Sequence, residues 1–231
     1  MNKNAFSDYN QQMRDLWSEV HHNGKWPDGI PHLWPMQYPS LTQKPLLFIG
    51  FNPSLSSYKH ATLKLSDFGD LGEPKRIGDV IDRETTMLGL NGKEKMSKYF
   101  LPLGKVAGDD QWLHIDLFAV RHTNQQKLRK GLEIQLDPNL ELSDFGDRQM
   151  IECVKLADAI NPDVVVVVNA LASYILLARL ENSLCWCQKI GTYVRNKQPW
   201  FFSGMLSGQR ALDTHSRERL KWHVQRCRNC N

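Results

Sequence analysis

Leu46-Leu47-Phe48-Ile49-Gly50-Phe51-Asn52-Pro53 is the stretch that decides the fold. Four apolar residues, stopped by glycine and then by Asn-Pro, read as a strand buried on both faces that turns sharply at its carboxyl end. Trp112-Leu113-His114-Ile115-Asp116-Leu117-Phe118-Ala119-Val120 and Asp163 followed by five consecutive valines have the same character, and Pro199-Trp200-Phe201-Phe202-Ser203-Gly204 makes a fourth strand. Helical patterns at about 147–160, 170–181 and 214–226 alternate with them. The expectation is therefore an α/β fold, in three α/β/α layers around a central, mainly parallel four-stranded sheet. In an open sheet of this kind ligands bind beyond the carboxyl ends of the strands, so the residues just after each strand are the ones to examine.

Working outward, Phe6, Tyr9, Met13, Leu16, Trp17 and Val20 recur at helical spacing and predict an amphipathic helix ending near His21-His22-Asn23-Gly24. Residues 24–45 hold five of the 11 prolines, with Trp26 and Trp34, and read as a non-helical wrap across the domain. The chain thus divides into residues 1–44, helix and wrap, and 45–231, the α/β domain. Residues 55–110, rich in Gly, Lys and Asp, read as a long irregular wall or lid. The 231 residues, 41% of them apolar, suit one core. No apolar run approaches the roughly 20 residues that cross a bilayer, and the first residues do not resemble a secretory signal. A cytoplasmic monomer without membrane attachment is expected.

The net charge of +4 is unevenly spread. Arg210, Arg217, Arg219, Lys221, Arg226 and Arg228 face only Asp213 and Glu218 in the last 22 residues, so the whole excess sits there, on a helix able to dock a polyanion or simply to face solvent. Five cysteines, an odd number, argue against a disulfide framework. Cys185-x-Cys187 and Cys227-x-x-Cys230 could on paper supply four thiolates to zinc, but Cys-x-Cys is not ordinary zinc-site spacing and the second pair sits at the end of the sequence, so ordinary thiols are the expectation and no metal site is assigned; Cys153 falls within a predicted helix as a packing residue.

After the first strand, Gly50 lets the backbone turn and Pro53 sets the next step, so Asn52 is held at the mouth of the sheet. The same eight residues also fit a plain strand-to-helix connection in which Ser56 or Ser57 caps a helix. Gly50-Phe51-Asn52-Pro53-Ser54-Leu55-Ser56-Ser57 resembles the Gly-Ile-Asn-Pro-Gly-Leu-Ser-Ser signature of mismatch-specific uracil-DNA glycosylases, agreeing at six of eight positions. A weaker likeness in strand order extends over residues 44–226. The resemblance implies a uracil-DNA glycosylase-like fold and gives Asn52 the catalytic role of orienting the water that attacks the sugar C1′. An amide positions a water but is a poor base, which implies slow hydrolysis through a cationic sugar.

The family's second signature, His-Pro-Ser or Asn-Pro-Ser-Gly, corresponds to Met205-Leu206-Ser207-Gly208-Gln209-Arg210. Serine and glycine are kept; methionine replaces the donor to the departing base, a loss worth a few kcal/mol of barrier unless replaced. Ser207, Gly208, Gln209, Arg210, Leu212 and Arg217 are the implied DNA contacts, as wedge and phosphate ligands. Asp116 falls at the family's base-reading position, where an ionised carboxylate accepts hydrogen bonds only and favours an edge with amino or imino donors; as a lone acid in an apolar run it is equally readable as a cap or core partner. Gly50, Phe51, Pro53, Tyr58 and Phe68 complete the implied base pocket, with Phe51, Tyr58 and Phe68 as stacking rings. His114, His122 and His215 flank the site as candidate proton or anion contacts. The implied activity is a DNA glycosylase that hydrolyses the N-glycosidic bond of a flipped uracil or other damaged or modified base, on duplex or single-stranded DNA, with no cofactor. Met205 and Asp116 also fit a catalytically weak or inactive relative that binds nucleic acid, and fold alone leaves an unrelated α/β hydrolase open.

Overall fold

The computed structural model describes residues 4–39, 46–53, 78, 81–82, 98–108, 111–136, 139–208 and 210–229. Six strands form one mixed sheet: β1 (Leu46–Gly50), β2 (Trp112–Asp116), β3 (Val164–Val167), β4 (Cys185–Cys187), β5 (Thr192–Arg195) and β6 (Gln198–Phe202). Their spatial order is β2-β1-β3-β6-β5-β4. The four strands expected from the apolar runs are the first four of that order and are mutually parallel. The sheet is not four-stranded, however. An antiparallel hairpin, β4 on β5 and β5 on β6, extends it by two strands. Asn196 and Lys197, both at positive φ (52° and 67°), make the tight β5–β6 turn in the conformation that matches strand twist. The hairpin strands are short and partly exposed, so they lack the buried-run signal of the others.

Among the described residues six α-helices accompany the sheet: α1 (Ala5–His22), α2 (Leu101–Ala107), α3 (Gln125–Gly131), α4 (Asp144–Ile160), α5 (Ala170–Leu180) and α6 (Thr214–Asn229). The starts of α3, α4 and α5 follow capping chemistry. Asn124, Ser143 and Asn169 accept hydrogen bonds from first-turn N–H groups, and Asn161 ends α4 in the left-handed conformation. Register puts His114, Phe48, Val166 and Phe201 side by side on one face of the sheet, where Phe100, beside α2, meets His114 and His223 of α6 meets Phe201. On the other face, Leu47, Ile49, Leu113, Ile115, Val165 and Val167 are just as fully buried. Each such side chain contributes about 1.5–3 kcal/mol over exposure.

The chain enters at β1, moves outward to β2, then crosses back over β1 to β3 and on to β6. Right-handed crossovers in opposite directions place their helices on opposite faces and leave a switch point between the carboxyl ends of β1 and β3. Asn52 stands two residues beyond the end of β1.

The N-terminal segment shares the main core. Tyr9, Met13, Leu16 and Trp17 of α1 join the same apolar cluster as the strands, and α1 packs along α4. The wrap is pinned to its surroundings: Trp17 Nε1 donates to the Leu33 carbonyl (2.9 Å), Met36 N–H to the Ala119 carbonyl (3.0 Å), and Asn10 bonds both backbone groups of Tyr38. No helix among the described residues is long and apolar enough to cross a membrane.

Candidate functional site

Beyond Asp116 the chain runs alongside the turn that follows β1. Leu117, Phe118 and His122 N–H groups donate to the carbonyls of Gly50, Phe51 and Pro53, each at 3.0 Å. On the other side Val168 N–H donates to the Ile49 carbonyl and Ser203 N–H to the Val167 carbonyl, both at 2.9 Å. All four parallel strands therefore end on one rim.

On that rim the Asn52 amide is oriented by what surrounds it. Its Nδ2 donates to the carbonyls of His122 (2.7 Å), Pro53 (3.0 Å) and Val120 (3.4 Å). An amide nitrogen has two N–H groups, so the two shorter bonds dominate and the third is shared. Three acceptors around one end of the group leave no place there for the carbonyl oxygen, so Oδ1 must point the other way. The residue is half-buried, and among the described residues Oδ1 accepts no hydrogen bond. The outcome is a fixed acceptor at the switch point, without a partner among the described residues and suited to holding a water by one of its protons.

Gly50 is glycine because of its neighbours across the sheet. A Cβ there would lie 2.5 Å from Asp116 Oδ1 and 2.7 Å from His114 Nε2. Asp116 is 3% exposed, and its backbone N–H donates to Tyr38 Oη at 2.7 Å. His114 is 2% exposed, and neither ring nitrogen has a hydrogen-bond partner among the described residues; its Nδ1 lies 3.9 Å from Asp116 Oδ2, and Phe100 packs against the ring at 5.1 Å. Burial pushes the imidazole down to about 3, so it is neutral at physiological pH and carries one donor and one acceptor. Burial also raises the Tyr9, Tyr38 and Tyr99 hydroxyls and the Cys153 thiol, with the Asp116 charge adding to it. These groups stay protonated around the acid. Tyr38 was not apparent as a site residue; an aromatic in a proline-rich wrap carries no chemical signature of its own.

The remaining expected residues are placed as follows. Phe51, expected to stack on a base, is 2% exposed and packs edge-to-face on Phe118 at 5.2 Å, which sets its ring in the core. Pro53 is buried, with its carbonyl engaged by His122 and Asn52. His122 is a latch: its Nδ1 accepts from Asn124 N–H at 2.9 Å, the ring also bonds the Gly29 backbone, and desolvation lowers its pKa. Tyr58, Phe68 and Gln209 lie outside the described residues, as do Ser54, Leu55, Ser56 and Ser57 of the first signature.

The loop after β6 is tight. Leu212 N–H donates to the Met205 carbonyl (2.8 Å), Ala211 N–H donates to the Gly208 carbonyl (3.2 Å), and Gly208 takes a φ of 87° open to glycine. Ser207 is half-buried, and Gly208 and Arg210 are exposed. Leu212 is half-buried over Gly204 and packed against the core, so its side chain closes the loop and is not a free wedge. Asp213 caps α6 by accepting from Ser216 N–H and Oγ, which lowers its pKa. His215 is exposed on the first turn. Arg217, bonded to Thr214 Oγ1 at 3.4 Å, lines with Lys105, Lys221 and Glu218 a groove of about 100 Å³ between α2 and α6.

Among the described residues no group of three or more His, Cys, Asp or Glu is arranged to hold a metal ion. Cys185 and Cys187 lie on the edge strand β4, Cys227 is buried in α6, and Cys230 is outside the described residues. No family model matches the chain, and no curated protein is significantly similar to it.

Proposed function

We propose that the protein is a DNA glycosylase of the uracil-DNA glycosylase type, which draws a damaged or modified base out of DNA and hydrolyses its bond to the sugar. The observation that carries this reading is the Asn52 amide at the switch point, tied at Nδ2 by three carbonyls, with its oxygen unpartnered among the described residues. A water donating one proton to Oδ1 turns a lone pair towards C1′ as the base departs and the sugar gains cationic character. The amide takes up no proton, so the enzyme relies on positioning and is slow. The hydrolysis needs no cofactor.

Asp116 and neutral His114 supply opposite hydrogen-bonding characters side by side: the carboxylate accepts, and an imidazole N–H donates. Asp116 holds the base-reading position that the resemblance implies, and both residues are at most 3% exposed. The groove lined by Lys105, Arg217 and Lys221 and the exposed Arg210 provide cations for the phosphates. Met205 brings a thioether, not a hydrogen-bond donor, to the second loop, which favours a binding protein without cleavage as the second reading.

The test is incubation with duplex and single-stranded DNA carrying uracil, hypoxanthine or modified pyrimidines, followed by assay for abasic sites. Base release that falls at least a hundredfold in Asn52→Ala is the expected result. No release from any substrate, or equal release by the variant, removes the proposal; binding without release supports the second reading.

A further inference from the structure

Helix α6 turns Val224 and Cys227 inward, yet carries Trp222 at 54% exposure on its outer face. His215, Arg219, Trp222 and Arg226 are spaced i, i+4, i+7 and i+11, which aligns them in one stripe along the helix, and all four are exposed. The stripe spans about 16 Å, room for several nucleotides at about 3.4 Å per stacked step. The Arg226 guanidinium sits 5.2 Å from the centre of the Trp222 ring, and His223 meets the ring edge-on at 4.9 Å. Glu218 is the one acid on this outer surface of α6 among the described residues, and the basic groove of Lys105, Arg217 and Lys221 opens beside it.

An indole held by a cation, left more than half in solvent and bordered by positive charge combines the two elements of sequence-tolerant single-strand recognition: an aromatic face for a base and cations for its phosphates. A plain solvated helix face needs no tryptophan, and the charge of this stripe complements a polyanion. We infer that Trp222, with Arg219 and Arg226, is a stacking platform for a nucleobase of a single-stranded segment. Trp222 lies eight residues, or about 12 Å, along α6 from its start, and the loop before α6 stands at the strand-end rim. The platform therefore holds strand flanking the site and not the base that enters it. It rests on the reading of the ligand as nucleic acid, but not on base release.

The experiment is a titration of the full chain with fluorescein-labelled oligothymidylate, read by anisotropy at several salt concentrations. Trp222→Ala is expected to weaken binding roughly tenfold, Trp222→Phe to restore most of it, and Arg226→Gln to reduce the slope of log affinity against log salt by about 0.7. Trp186→Ala, which removes the exposed indole of the β4 edge, is expected to leave affinity unchanged. Undiminished binding by Trp222→Ala, equal loss in Trp222→Ala and Trp186→Ala, or no binding by the native protein overturns the inference. Base release assayed in parallel separates the two proposals. Loss of binding in Trp222→Ala without release of any base by the native protein sustains the platform and removes the glycosylase; Asn52-dependent release with unaltered binding by Trp222→Ala does the reverse.

Discussion

Replacing Asn52 by aspartate tests the orientation on which the proposed chemistry depends. The side chain keeps its shape, but an oxygen takes the place of Nδ2, 2.7 Å from the His122 carbonyl and 3.0 Å from that of Pro53. Two hydrogen bonds worth about 1 kcal/mol each are lost, and the carbonyls then face a negative oxygen, so the total at neutral pH should reach roughly 2–4 kcal/mol. A protonated carboxyl can donate again to the His122 carbonyl, so folding raises the pKa of the introduced acid. For an acid raised in the folded state the deficit is smallest below the ordinary carboxyl value of about 3.9 and grows as pH rises through the folded value. Urea unfolding followed by tryptophan fluorescence, near pH 4 and near pH 7, compares native and variant, and their difference cancels every titration the two share. Equal unfolding midpoints at neutral pH would refute the orientation: the carbonyls would not be holding Nδ2, and the open oxygen would lose its basis.

Gly50→Ala places a methyl group 2.5 Å from Asp116 Oδ1 and 2.7 Å from His114 Nε2, both buried, and should cost about 1–3 kcal/mol in urea unfolding, partly recovered by adding His114→Ala; a change within 0.5 kcal/mol would contradict the packing. Tyr38→Phe removes the acceptor of the Asp116 N–H and should cost about 1–3 kcal/mol, measurable in the same way, with unchanged stability counting against that bond. His114, lowered by burial to about 3 from 6.5, stays neutral in the fold while the unfolded chain takes up a proton. Its contribution is complete above about pH 6.5 and is lost as pH falls towards 3, at up to about 1.4 kcal/mol per pH unit. The slope of stability against pH should flatten in His114→Gln, and identical slopes would refute the assignment.

The four buried runs were legible because each is a local pattern: a short apolar stretch ended by glycine or a polar residue can do little but form a strand in the middle of a sheet. Four of the six helices were legible from their periodicity, and the wrap over residues 24–39 from its prolines; α2, inside the stretch expected to be irregular, and α3 are seven residues each, too short to show a repeating apolar face. The two added strands escaped notice because Cys185-Trp186-Cys187 and Thr192-Tyr193-Val194-Arg195 are short and only partly buried, and the β5–β6 turn at Asn196-Lys197 lacks the glycine that announces a tight turn. Leu212, expected as a free wedge, is held down by its backbone bond to Met205 and by the space that Gly204 leaves for its side chain, a long-range fit invisible in a list of residue types.

Residues 46–53 by themselves determined that a strand would end in a sharp turn carrying an amide, and the charge of the last 22 residues that the C-terminal helix would be basic. Only the tertiary structure decided which end of that amide faces out, because its orientation is set by carbonyls 68 and 70 residues along the chain as well as by its neighbour Pro53. It likewise decided that His114 and Asp116 meet over a missing side chain at Gly50, and that Trp222 stays outside the core. Periodicity reports which residues a strand or helix buries; the direction of a hydrogen bond depends on atoms that only folding brings within 3 Å of one another.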